Sequence, residues 1–242
     1  MEPTLAWLED PTVFRVNRLD AHSDHVTYLD IQELAAGKTS LRQSLDGLWR
    51  FRWSENPESR PADFWKPDFD DSDFDTIQVP GHMETQGYDQ IQYINKLYDW
   101  DGHAELRPPH IDWRHDPVGS YVTCFDLEET LLEHPVCISF QGVEQAMYVW
   151  LNGHFVGYSE DSFTPSEFDL SPYIHPTGNR LCVEVYKRSS AAWLEDQDFF
   201  SFSGIFRSVY LYAKTKCYVE DLWLNACLLY TSPSPRDRSL SR

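Results

Sequence analysis

The sequence predicts an all-β protein, a sandwich of jelly-roll type. Three observations carry this: many short runs of alternating residues, few helical patterns, and one Asn-Gly hairpin signal between two apolar runs. Residues 1–45 show little period and read as an N-terminal arm, ending in Thr39-Ser40-Leu41-Arg42-Gln43-Ser44. Residues 46–213 carry the strand patterns. Trp49, Phe51 and Trp53 alternate with Arg50 and Arg52, which sets three aromatics on one face of a strand. Tyr121–Phe125 alternates again, and Val136, Ile138 and Phe140 share a face opposite Cys137 and Ser139. Within Met147–Tyr158, Asn152-Gly153 supplies the two residues of positive φ that a type I′ hairpin requires. Leu181–Tyr186 and Val209–Tyr212 are further strands, punctuated by turn clusters such as Pro176–Asn179. Pro108 and Pro109 fall in Arg107–His110, which reads as a loop. Residues 214–226 include the alternating run Tyr218–Leu224, expected to be the first strand of a truncated second β domain.

The 242 residues suffice for a substantial core. They carry 39 acidic against 20 basic side chains, a net charge of −19. That balance argues against nucleic acid and against anionic membranes, both of which demand a basic footprint. No apolar run approaches the ~20 residues that span a bilayer, and the first residues have neither a basic nor an apolar leader region. Five cysteines, odd in number and without a Cys-x-x-Cys pair, argue against a disulfide framework and a zinc site. A cytoplasmic protein with reduced thiols is the expectation. Aromatic residues make up 15% of the chain. Acid plus aromatic is the composition expected where neutral sugars are handled, because carboxylates accept from hydroxyls and ring faces stack on C–H faces.

Residues 227–242 read unlike the rest. They hold Arg236, Arg238 and Arg242 against Asp237 alone, whereas the preceding 226 residues carry 17 basic and 38 acidic side chains. The string Cys-Leu-Leu-Tyr-Thr-Ser-Pro-Ser-Pro-Arg-Asp resembles the in-frame translation of a sequencing adapter, an assembly scar to be set aside in reasoning about the fold. The alternative is a natural Ser/Pro/Arg-rich tail.

Several patterns carry little chemistry. Asp68–Asp75 has five carboxylates in eight residues but lacks the Gly and terminal Glu of a calcium loop, so it reads as a solvated acidic loop. His22 and His25 form an H-x-x-H without a nearby third ligand. Ser120, Ser162 and Ser203 lack a nucleophile-elbow context. Trp193–Arg207 differs: Glu195, Asp196 and Asp198 lie among Trp193, Phe199, Phe200 and Phe202. Carboxylates among so many rings are costly unless something pairs them. A sugar's hydroxyls, a cation, or internal salt bridges to Arg207 or Lys187 would all serve. Asn95 in Gln92-Tyr93-Ile94-Asn95 is a second polar point among aromatics, able to engage a diol or to cap a turn.

From Asp10 to Ala226 the chain resembles the N-terminal part of the β-galactosidases of glycoside hydrolase family 2. The resemblance rests on Asp10-Pro11 with Asn17-Arg18-Leu19 and Ala21-His22, on Ser44–Phe51, and on Val79–Tyr88 with Tyr93–Asn95. It continues through Phe140–Glu144, Asn152-Gly153, Gly157-Tyr158 and Ser166–Leu170, and ends with Leu194-Glu-Asp-Gln-Asp198 and Ser203-Gly-Ile-Phe-Arg207. It implies a galactose-binding-like jelly roll, followed in the full-length parent by an immunoglobulin-like domain and a TIM barrel. It implies retaining hydrolysis of terminal β-galactosides such as lactose by two glutamates. Asn95 and Asp198 match positions that contact galactose, and Asp198 one that also ligates Na+. The catalytic glutamates and the Mg2+ ligands would lie in the barrel, so no catalytic residue is expected here and the fragment should be inactive. A homo-oligomer is implied for the parent. Phe199-Phe200 departs from the Met or Trp followed by Trp usual there. A free-standing carbohydrate-binding module and a purely structural assembly domain are the rivals.

Overall fold

Alternation along the chain resolves into fifteen strands among the residues that the computed structural model describes: 2–95, 97–98, 100–102, 104–195 and 197–226. The tail over 227–242 and Asp196 lie outside them. The first strands are β1 (Arg15–Val16), β2 (Arg42–Ser44), β3 (Gly47–Ser54), β4 (Asp75–Val79) and β5 (Gln92–Ile94). There follow β6 (Val118–Phe125), β7 (Val136–Phe140), β8 (Val143–Glu144), β9 (Ala146–Leu151) and β10 (His154–Ser159). The last are β11 (Ser166–Asp169), β12 (Asn179–Tyr186), β13 (Phe199–Ser201), β14 (Gly204–Ile205) and β15 (Val209–Ala213). A six-residue helix, Ile31–Ala36, is capped by Asp30 and stopped by Gly37 in the left-handed region.

Two antiparallel sheets make the sandwich. One has seven strands in the order β1-β10-β9-β12-β6-β3-β4, the other four in the order β11-β7-β15-β2. Between them lies the main core, with Phe51, Val149 and Val183 from the larger sheet against Ile138, Phe168 and Leu211 from the smaller. The alternation in β3 matches burial: Trp49 and Phe51 are enclosed while Leu48 and Arg50 are exposed.

β9 is different, because all six of its residues are buried. Its second face, with Tyr148 and Trp150, packs under a further apolar cluster that includes Trp7, Leu8, Phe64 and Phe74. The N-terminal segment therefore takes part in the core. Trp7 stacks on Tyr148 at 5.9 Å, β1 extends one edge of the larger sheet, and β2 extends the smaller.

The Asn152-Gly153 turn joins β9 to β10 with φ of 52° and 82°. A Cβ on Gly153 would stand 2.9 Å from the Pro67 ring. Gly153→Ala should cost about 1–2 kcal/mol through the left-handed backbone and this contact. A urea midpoint equal to wild type would refute it.

Residues 214–226 form no strand, although Tyr218–Leu224 alternates. A strand needs a ladder partner, and none of the described strands flanks this run. It is held by isolated bonds to the N-terminal segment instead: His25 Nε2 meets the Val219 carbonyl at 2.8 Å, and Ser23 N–H donates to Asp221. No helix among the described residues is long and apolar enough to cross a membrane.

Candidate functional site

β5 and β13, which belong to neither large sheet, pair as an antiparallel ribbon with Ile94 opposite Phe199 and Tyr93 opposite Phe200. One step further in the same register sets Asn95 across from Asp198. Two residues far apart in the chain thus come together at one end of the ribbon, and both are exposed. The Tyr93 hydroxyl donates to Asp198 Oδ1 at 2.5 Å, and that bond to a carboxylate pushes the phenol pKa up. Among the described residues nothing else engages the Asp198 carboxylate or the Asn95 amide. An amide that donates and accepts beside an acceptor carboxylate matches the hydroxyls of a vicinal diol.

The ribbon is held from below. The Lys187 ammonium, with 2% of its side chain exposed, donates to Glu84 at 2.9 Å and to Asp89 at 2.7 Å. Glu84, wholly buried, accepts in turn from Ser203 N–H at 2.9 Å and Ser203 Oγ at 2.7 Å. Ser203 lies two residues beyond β13. On the other side, Trp193 packs against Tyr98 and Trp100, with centroids 4.7 and 4.6 Å away. Between these anchors the ribbon stands out, with Phe199 59% exposed.

Among the described residues, neither internal salt bridge considered for the acidic segment forms. Lys187 is committed to Glu84 and Asp89, and Arg207 donates to the carbonyls of Gln141 and Phe163. Glu195 accepts from Ser162 Oγ at 2.5 Å, Ser162 N–H at 3.2 Å and Gln145 Nε2 at 3.3 Å. Burial raises its pKa against these bonds. Asp196, the remaining acid of that run, lies outside the described residues.

Sequence reasoning gave no role to Glu144, half-buried behind the ribbon. Burial, with Glu84 and Glu195 nearby, pushes its carboxyl up to about 8. An acidic residue between the apolar runs of β7 and β9 was the only signal for it. Ser203 and Ser162 serve as donors to Glu84 and Glu195. In the Asp68–Asp75 loop, Asp71 pairs with Arg180 at 2.6 Å and Asp73 with Arg52. His22 Nε2 meets Glu167 at 2.8 Å, so the H-x-x-H pair ties the N-terminal segment to the smaller sheet.

No group of three His, Cys, Asp or Glu among the described residues is placed to hold a metal. Asp198 offers one free carboxylate oxygen, whereas a hard cation takes about six oxygen ligands. The described residues alone therefore do not make a sodium or magnesium site. Cys124, Cys137, Cys182 and Cys217 are all unpaired.

A family model described as glycosyl hydrolases family 2, sugar binding domain, matches residues 42–215. The chain is 56% identical over 228 residues to a β-galactosidase of Clostridium acetobutylicum, covering 94% of this chain and 25% of that protein. It is 54% identical over 234 residues to a β-galactosidase large subunit of Leuconostoc lactis, covering 92% and 37% respectively. The chain thus spans only a minor part of the curated relatives it matches. Among solved structures, an uncultured Clostridium sp. β-glucuronidase superposes with a TM-score of 0.55 at 21% identity, over 82% of this chain and 32% of that one. Bacteroides uniformis β-glucuronidase 2 gives 0.53 at 21% identity, over 71% and 18%. Likeness at that identity speaks to the fold alone.

Proposed function

Because the chain belongs to glycosyl hydrolase family 2, through that family's sugar-binding domain, we propose that it is the N-terminal, sugar-contacting portion of a retaining β-galactosidase. The observation that carries this is the pairing of β5 with β13, which brings Asn95 and Asp198 to one exposed ribbon end. In the assembled enzyme the Asn95 amide and the free Asp198 oxygen bind adjacent hydroxyls of a terminal β-galactoside. Asp198 also lends one oxygen to a sodium ion whose other ligands come from elsewhere. Tyr93 holds the carboxylate in place through its hydroxyl.

The chain on its own does not turn over substrate. Retaining hydrolysis needs two carboxyls about 5–5.5 Å apart across the scissile bond, and that pair, like the magnesium ligands, is assigned to the barrel that follows in the parent. The parent is a homo-oligomer of the cytoplasm, where the thiols stay reduced.

A chimera tests this. The chain replaces the matching segment of the Clostridium acetobutylicum β-galactosidase, and kcat/KM is measured on a β-galactoside. The chimera should hydrolyse it and the isolated chain should not. Asp198→Asn in the chimera removes a charge-assisted hydrogen bond, a loss of about 1.5–3 kcal/mol, or roughly 10- to 150-fold in kcat/KM. An unchanged kcat/KM and sodium response would overturn the role of Asp198. An inactive but folded chimera would overturn the enzyme assignment and favour a free-standing sugar-binding module.

A further inference from the structure

We propose that the pocket on the inner side of the β5–β13 ribbon is a second binding site, for a neutral pyranose, separate from the Asn95–Asp198 end. The pocket holds about 320 Å³ and lies between the ribbon and the body of the sandwich. That is within the range of small-molecule sites, about 300–1,000 Å³. Tyr98, Trp100, Phe199 and Phe200 line it, with the Glu144 carboxyl and the Gln197 amide as polar points. Neither Asn95 nor Asp198 does.

The two polar groups are uncommitted. Among the described residues no hydrogen bond or ion pair engages the Glu144 carboxyl or the Gln197 side chain, whereas Glu195 beside them is satisfied by Ser162 and Gln145. The Gln197 amide is exposed and the Glu144 carboxyl half-buried, so both are open to a ligand hydroxyl that takes the place of water. The Glu144 carboxyl holds its proton at neutral pH, since burial and the carboxylates of Glu84 and Glu195 lift it to about 8 against the opposing charge of Lys187. A protonated carboxyl both donates and accepts, as a sugar hydroxyl does. The exposed rings of Phe199 and Phe200 supply faces for the C–H side of a pyranose, over a floor formed by the packed Tyr98 and Trp100.

Charge sets the class of ligand. The ammonium of Lys187, the cation beside Glu144, is consumed by Glu84 and Asp89. Arg188, the other cation of the lining, donates through its guanidinium to the His115 carbonyl, so a sugar carboxylate meets Glu195 and Glu84 without an uncommitted cation to pair with.

The test is ligand-observed NMR, with tryptophan fluorescence in parallel, on the chain at mildly acidic pH with D-glucose, D-glucuronate and D-glucosamine. Glucose should bind weakly and quench Trp100, and glucuronate should not bind. Glu144→Leu should weaken glucose about tenfold, the cost of one or two neutral hydrogen bonds. Glu144→Gln should stay within about threefold, and Leu48→Ala, at an exposed position of β3 outside the pocket, should change nothing. Phe199→Ala, at an exposed position, should also weaken binding and serves if Glu144→Leu does not fold. Absence of any glucose binding would overturn the proposal. So would binding lost in Asp198→Asn but kept in Glu144→Leu, which would place the sugar at the ribbon end only. Glucosamine bound more than about tenfold tighter than glucose would mark a cation site instead.

Discussion

Replacing Lys187 by Met should destabilise the fold by about 3–5 kcal/mol, the usual cost of removing one partner from a buried ion pair. The ammonium is 2% exposed and Glu84 wholly buried, so the variant leaves a carboxylate without its cation in a place water does not reach. The Ser203 bonds to Glu84 remain but bring no charge. Asp89 loses its cation too, yet it is partly open to solvent and is screened. Because Ser203 follows β13 by two residues, the same loss loosens the inner anchor of the ribbon. Urea unfolding of the single variant and of Glu84→Gln/Lys187→Met separates the parts. The double variant should recover much of the loss, since it no longer buries an unpaired charge. A single-variant loss below about 1 kcal/mol would mean that water reaches Glu84 and that the anchor is not what holds the ribbon.

What the sequence disclosed was local. The Asn152-Gly153 hairpin and the alternation of Trp49, Arg50 and Phe51 are set by neighbours within a few residues, and both appear as read. Alternation gave no hint that β9 is covered on both faces, because Tyr148 and Trp150 are buried by Trp7 and Phe64, segments distant in the chain. It suggested a strand at Tyr218–Leu224 that does not form, because period alone does not supply a ladder partner. Asn95 and Asp198 were each marked by carboxylate or amide chemistry among aromatics and by resemblance. Only the pairing of β5 with β13 brings them face to face. The Lys187–Glu84–Asp89 network joins three loop-end positions with no shared period, so no sequence signal could have found it.

The chain should lose stability as pH rises from about 4.5 to 8. Glu144 is held up to about 8 and Glu160 to about 7, each chiefly by burial. A carboxyl whose folded pKa exceeds its unfolded one keeps its proton in the native state while the unfolded chain has released it. Native molecules then bind more protons, and stability falls with pH across that window. Below the unfolded value both states are protonated and the contribution is fully present; above the folded value it is gone. His22, raised by its bonds to Ser23 and Glu167 against the opposing effect of burial, acts in the same direction. Asp112 and Asp161, held low by hydrogen bonds and charge against burial, act in the opposite direction only in more acidic solution; His82, lowered by burial, opposes the trend within the window, one group against the two glutamates. Each tenfold step in proton affinity is worth about 1.4 kcal/mol, so the two glutamates together amount to several kcal/mol over the window. Glu144→Gln cannot ionise. It should match wild type at the acid end of the window and be the more stable at the alkaline end, with a visibly shallower slope between. Urea midpoints at both ends, for both proteins, decide it. Parallel slopes would mean that Glu144 ionises freely where it lies, and would remove the protonated carboxyl from the pocket behind the ribbon.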